Sequence, residues 1–173
     1  MAQAPVSDQT TFGFEPPRNT QFSVFLTNRV GQLLDLVEVF DNQTVVLAGL
    51  SVVDSTDHAV VRILTSRAEL TRRLLARHEL PASEAEVLVV ELGQGRTLAG
   101  ICESLLVAEV NIHYGYPLLV HPRGLPTIAL HTDDILLSGH ILRRKHFTLL
   151  GENDLGGNAS RGTPGTPNRP TPE

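Results

Sequence analysis

The feature that most constrains this chain is that its middle occurs twice. Shifting the sequence by 65 residues lays Val24 on Val89, Leu33 on Leu98, Leu36 on Ile101, Val37 on Cys102, Phe40 on Leu105, Val45 on Val110 and Leu47 on Ile112. Two extra residues within His121-Pro122-Arg123-Gly124 then change the shift to 67, after which Ile63 meets Leu130, Leu70 meets Leu137, Leu74 meets Ile141 and Leu75 meets Leu142. Any fold for this sequence must hold two copies of one unit and let their apolar positions share a core.

Each copy reads as βαββαβ. Opening strands are expected at residues 21–27 and 86–92, both dense in apolar residues. Helices follow at 30–41, with an apolar stripe at 33, 34, 36, 37 and 40, and at 97–108. Strand pairs come next. One runs over 45–53 and 59–64 around Asp54-Ser55-Thr56-Asp57, the other over 110–120 and 127–131 around Pro122-Arg123-Gly124. The second helix of the first copy starts with capping-box spacing from Ser66 to Glu69, and its counterpart runs from Thr132, Asp133 and Asp134 to Arg144. Arg143, Arg144, Lys145 and His146 suit the negative end of that helix better than a nucleic-acid patch. Short closing strands are expected at 80–83 and 147–150. This order predicts an α+β protein: two tandem βαββαβ, ferredoxin-like repeats, each an antiparallel sheet covered by helices on one face. The other faces need covering too, by stacking the copies or by dimerising.

Four segments follow: a flexible lead at 1–20, a first repeat at 21–84, a second at 85–155 and a disordered tail at 156–173. The tail carries repeated Gly, Pro, Thr and Asn with no apolar anchor, too little to offset its ordering entropy. A net charge of −5 and the lack of a basic stripe speak against nucleic acid. No apolar run is long enough for a membrane span, no signal peptide is read at the start, and one cysteine makes no internal disulfide. The expected location is the cytoplasm. Cys102, aligned with Val37 in mid-helix, is expected to be a packed thiol.

Enzyme chemistry finds little support. The histidines His113, His121 and His131 lack short metal spacing with cysteine, no nucleophile elbow is present, and Glu38, Glu69, Glu103 and Glu109 read as solvent-facing helix positions. No metal, no cofactor and no catalytic residue are expected. The informative segment is instead the first strand-to-helix turn, Asn28-Arg29-Val30-Gly31-Gln32-Leu33. A glycine there lets a ligand approach the backbone closely, and Asn28 can cap the helix or bond a ligand amine. The alternative is that Asn28 only caps and Gly31 only relieves packing.

This turn resembles that of ACT domains, matching at Asn28, Arg29, Gly31 and Leu33, with Val30 in place of the usual proline. Val110-Asn111-Ile112-His113-Tyr114-Gly115-Tyr116 is similar to the strand that tandem ACT proteins carry after the first helix of the second repeat. The resemblance implies an amino acid or similar small metabolite held where the turn of one repeat faces that strand of a neighbouring repeat. Asn28, Arg29, Val30, Gly31, Gln32 and Leu33 would form one wall, and Asn111, Ile112 and Tyr114 the other. The second copy departs from the pattern: in Gly93-Gln94-Gly95-Arg96-Thr97-Leu98, Arg96 stands at the family's glycine, and a loosened loop is expected. The function implied is a non-catalytic regulatory sensor, a homodimer, coupling binding to assembly. The alternative is a regulatory interaction subunit of an amino-acid biosynthetic partner enzyme, resembling acetolactate synthase small subunits.

Overall fold

Apolar residues at every second position, bounded by turn residues, build long antiparallel strands here. The computed structural model describes residues 15–27, 29–54, 58–93 and 95–156. The expectations for 1–14 and 157–173 lie outside the described residues. The elements are β1 (Asn19–Thr27), α1 (Gln32–Glu38), β2 (Leu47–Asp54), β3 (His58–Thr65), α2 (Ala68–Arg77), β4 (Ala82–Glu91), α3 (Leu98–Leu106), β5 (Ile112–Pro117), β6 (Thr127–Thr132), α4 (Ile135–Arg144), β7 (Leu149–Leu150) and α5 (Glu152–Leu155).

The strands join in the order β2-β3-β1-β4-β6-β5, all antiparallel, with β7 also on β4. The two expected sheets are therefore one. The closing strand of the first copy and the opening strand of the second, expected at 80–83 and 86–92, fuse into the ten residues of β4. β1 pairs with Ala82 to Val87 of this strand, and β6 with Leu88 to Glu91. Val89 and Val90 pair with both β6 and β7, so β7 lies on the edge opposite β6 and continues the line of β1. At that junction Asn19 Nδ2 donates to the Leu150 carbonyl at 2.9 Å.

The copies match in fine detail. The Thr65 and Thr71 hydroxyls share a hydrogen bond of 2.7 Å, and Thr132 and Ser138, 67 residues on, share one of 2.8 Å. Thr71 and Ser138 both donate back to the carbonyl four residues earlier, at Arg67 and Asp134. Register shifts interrupt β2 between Leu47 and Gly49 and β5 between Ile112 and Tyr114.

Three apolar cores result. Helices α1 and α2 cover one face of the first sheet half around Phe22, Val24, Leu36, Phe40 and Ile63. Helices α3 and α4 cover the second around Leu88, Ile101, Leu105, Leu130 and Leu142. The uncovered faces of the two halves close on each other, where Ala48, Leu64, Val87, Val89, Tyr116, Leu118, Ala129 and Leu150 form the third core. The sheet thus curls until its outer strands meet at a single bridge between Gly49 and Leu118, where Leu119 N donates to the Ala48 carbonyl at 2.8 Å. Leu155 of α5, 2% exposed, joins this core, and the Glu152 carboxylate accepts from Ala68 N at the start of α2.

Several expectations are corrected. Helix α1 spans only Gln32–Glu38: Gly31 at φ +94° cannot belong to a right-handed helix, and beyond Glu38 the chain tightens into turns, Phe40 N and Asp41 N donating to the carbonyls three residues back. Its stripe is only partly buried: Leu36 is fully covered, whereas Leu33 and Leu34 are 42% and 60% exposed. Ser66 forms no capping box, since its hydroxyl accepts from Val46 N at 2.9 Å and the N-cap is Arg67. In α4 the cap is Asp134, whose Oδ1 accepts from Leu137 N at 2.8 Å. Cys102 is exposed, one helical position round from Ile101, which takes the core place. Ellman's reagent should accordingly titrate one thiol per native chain without denaturant; a thiol that reacts only after unfolding would contradict this placement.

Candidate ligand site

Thr27 ends β1, and the chain turns through Gly31 into α1. Gly31 holds φ +94°, and among the described residues, its chain neighbours aside, no atom lies within 4 Å of where a Cβ would stand. The turn is open backbone, reachable from solvent. Arg29 and Val30 are exposed, Gln32 is half-buried and donates from Nε2 to Asp35 Oδ2 at 3.1 Å, and Thr27 Oγ1 bonds Gln32 Oε1 at 3.2 Å. Val30, Leu33 and Leu34 leave an apolar rim beside the glycine. Asn28 lies outside the described residues.

The second wall sits elsewhere. Asn111 N donates to Asp133 Oδ1, and Asp133 N to the Asn111 carbonyl, both at 3.1 Å, which ties the start of β5 to the approach of α4. Ile112 pairs with Thr132 at the end of β6. Along β4, Val24 stands level with Ala82, so Thr27 lies three residues beyond that end; Leu130 stands level with Leu88, so Thr132 and Ile112 lie near Glu86. At about 3.3 Å per residue the two walls are offset by about 23 Å along the strands. Among the described residues, no hydrogen bond links 29–33 to 111–114. One chain carries both walls but does not bring them together.

Tyr114 faces the space between the sheet halves, in a polar group that only the register reveals. Gln21, wholly buried, donates from Nε2 to Tyr114 Oη at 2.8 Å, while Tyr116 Oη donates to Gln21 Oε1 at 2.9 Å. Burial, and then the neighbouring Tyr114, push the Tyr116 hydroxyl far above its ordinary value, so it remains a donor. His131 stacks on Tyr114 at 5.0 Å, and the Arg62 guanidinium lies 4.0 Å from the centre of the Tyr114 ring. Ser51, Arg62, Ser23 and Ser83 form one row across four strands. Sequence reasoning missed Gln21, Arg62 and His131 because their partners lie tens of residues away.

The corresponding turn of the second repeat is no loosened loop. Gly93 and Arg96 exchange backbone hydrogen bonds of 2.8 and 2.9 Å, a closed hairpin that Gly93 at φ +124° and Gly95 at φ +80° permit. Thr97 then caps α3 by accepting from Gly100 N at 3.1 Å. Among the described residues, no group of three His, Cys, Asp or Glu side chains is placed to hold a metal ion. His113 and His131 do meet, ring centres 5.5 Å apart. No helix among them is long and apolar enough to cross a membrane.

Comparison with known proteins gives one family. A family model described as an ACT domain pair matches residues 18–157. A solved structure of a Bacteroides thetaiotaomicron protein superposes with a TM-score of 0.71 at 21% identity, covering 82% of this chain and 97% of that one. The ligand-free regulatory subunit of aspartate kinase from Thermus thermophilus matches at a TM-score of 0.48 and 9% identity, over 73% of this chain and 92% of that one. No curated protein matches.

Proposed function

The chain belongs to the family of ACT domain pairs, and from that premise we propose that it is a non-catalytic regulatory protein that binds an amino acid or similar small metabolite between two copies of itself. The observation that carries this reading is the open turn at Gly31 with its apolar rim of Val30, Leu33 and Leu34, about 23 Å along the strands from Asn111, Ile112 and Tyr114. Two chains paired in antiparallel fashion would set the turn of each against the β5 wall of the other, giving two equivalent sites per homodimer. Arg29 and the Gly31 backbone would take the carboxylate, and Ile112 and Leu33 the side chain. We place the boundary between the repeats at 84/85, inside β4, and the protein in the cytoplasm.

A ligand that bridges two chains stabilises the pair by its differential affinity for the assembled state, which is how binding becomes a regulatory signal. The test is a thermal-shift screen of the full chain against the twenty proteinogenic amino acids, with sedimentation velocity alongside. At 100 times its dissociation constant a ligand adds about 2.7 kcal/mol, a rise of several degrees, and should shift the sedimentation toward the dimer. Gly31→Ala strains a backbone held at φ +94°, at about 1–3 kcal/mol, so circular dichroism must show the fold retained; the variant should then lose the response to that ligand. A response unchanged in Gly31→Ala would remove the ligand from this turn.

The second reading is a regulatory subunit for a biosynthetic partner enzyme. Leu106 and Val107, 74% and 86% exposed at the end of α3, favour it as an apolar contact away from the turn. Co-purification of the tagged chain from its own cells, lost in Leu106→Asp, separates the two.

A further inference from the structure

At one structurally equivalent pair of positions the two repeats part in chemistry. In the first repeat the pair is Ala48 and Leu64, both wholly buried in the inner core, with Ala48 the extra residue where the register shifts between Leu47 and Gly49. The residues 65 and 67 positions on are His113 and His131. His113 is again the extra residue, at the shift between Ile112 and Tyr114, and Tyr114 stands opposite His131. A bulge of this kind re-aims the side chain it releases. Here it brings the rings of His113 and His131 to 5.5 Å between centres, tilted by 35°. Two imidazoles that share one ion, each with a nitrogen about 2.1 Å from it, have ring centres about 5 Å apart.

His131 is set up for such a role. Its Nδ1 lies 2.9 Å from the Glu86 carbonyl oxygen, which can only accept, so Nδ1 carries the proton and the neutral ring keeps its lone pair on Nε2. Metal-bound imidazoles are oriented in this way. Stacking on Tyr114 at 5.0 Å holds the plane of the ring. His113 is exposed and His131 half-buried, and both line an open groove of about 530 Å³ that also carries Glu86, Asp133 and Asp134 against the guanidinium of Arg18. Three carboxylates facing one guanidinium draw cations into the groove. Asp133 and Asp134 each give one oxygen to a backbone N–H, and among the described residues no third side chain joins the two histidines as a ligand. We propose that His113 and His131 form a binding site for one divalent transition ion that favours imidazole, Cu²⁺ ahead of Ni²⁺ and Zn²⁺, with water in the remaining positions. The oxygen-seeking Mg²⁺ is refused. The site belongs to the second repeat alone, since Ala48 and Leu64 offer no ligand, and it stands independently of the molecule proposed at Gly31.

Calorimetric titration of the full chain carrying Cys102→Ser tests it, because the exposed Cys102 thiol would itself take up these ions. One Cu²⁺ should bind per chain, more tightly than Ni²⁺ or Zn²⁺, and Mg²⁺ should give no signal. His113→Ala and His131→Ala should each weaken Cu²⁺ binding at least about tenfold, with circular dichroism checking both folds. His121→Ala, at an exposed histidine of the β5–β6 loop, should bind as its parent does. Pulsed electron paramagnetic resonance of the Cu²⁺-loaded chain should show two imidazoles on the ion, and one in His113→Ala. The proposal is overturned if Cu²⁺ binds no better than Mg²⁺, if His113→Ala binds Cu²⁺ as tightly as its parent, or if the resonance shows fewer than two imidazoles. An equal loss in His121→Ala would overturn it too, by assigning the ion to scattered surface histidines.

Discussion

Leu88→Ala is expected to cost about 3 kcal/mol and to lower the melting temperature by about 6–12 °C. Leu88 is fully buried against Ile101, Leu105 and Leu142, so truncation opens a cavity where α3 and α4 rest on the sheet. Its neighbours Val87 and Val89 point the other way, into the core between the repeats. A β4 shifted by that cavity therefore loosens both halves of the molecule. Differential scanning calorimetry should show one transition, moved as a whole, with equal calorimetric and van't Hoff enthalpies. Two transitions, with only one moved, would mean that the repeats melt separately and that β4 does not couple them.

Gly49→Val should cost about 2–3 kcal/mol, from crowding rather than cavity formation. A Cβ at Gly49 would stand 2.7 Å from Leu118 Cδ2 and 3.2 Å from the Tyr116 ring. Leu118 is buried in the inner core, and the Tyr116 ring is tethered through its hydroxyl to Gln21. Relief therefore comes by parting β2 from the segment just after β5 at the Gly49–Leu118 bridge. Urea denaturation of Gly49→Val beside Gly49→Val/Leu118→Ala checks the cause: the second change, costly by itself, should recover part of the loss in the double variant. A purely additive double variant would place the damage elsewhere.

Much of the fold was legible because the repeat places apolar residues in pairs. Val24 with Val89, Leu36 with Ile101, Phe40 with Leu105 and Ile63 with Leu130 are all buried. What was illegible had local reasons. Ser83, Glu84 and Glu86 are exposed although they lie in a strand, so the polar break between two expected strands, at 80–83 and 86–92, falls inside the continuous β4. The Arg72 guanidinium of α2, a partner twelve positions back, bonds the Glu84 carboxylate and lowers its pKa. Leu155 is a lone apolar residue among polar ones, and nothing local marks its docking. Cys102 shows the limit of alignment: matching Val37 fixes its position along the helix, while the rotation that exposes it is set by how Ile101 and Leu105 seat. At the candidate sites the turn at Gly31 was readable from its own residues. The Gln21–Tyr114–Tyr116 group and the His113–His131 pair were not, since strand register assembles them from distant segments.

The ten residues of β4 include no glycine and no proline, and the strand is hydrogen-bonded along its length, to β1 and then to β6 and β7. Such a strand carries none of the residues that commonly break a ladder. Its two ends approach different parts of the molecule, the Gly31 turn beyond Ala82 and the Gly93–Arg96 hairpin at the far terminus. A change of register at one end would have to break the ladder at the other, so β4 ties the pairing of the two repeats together as one continuous element.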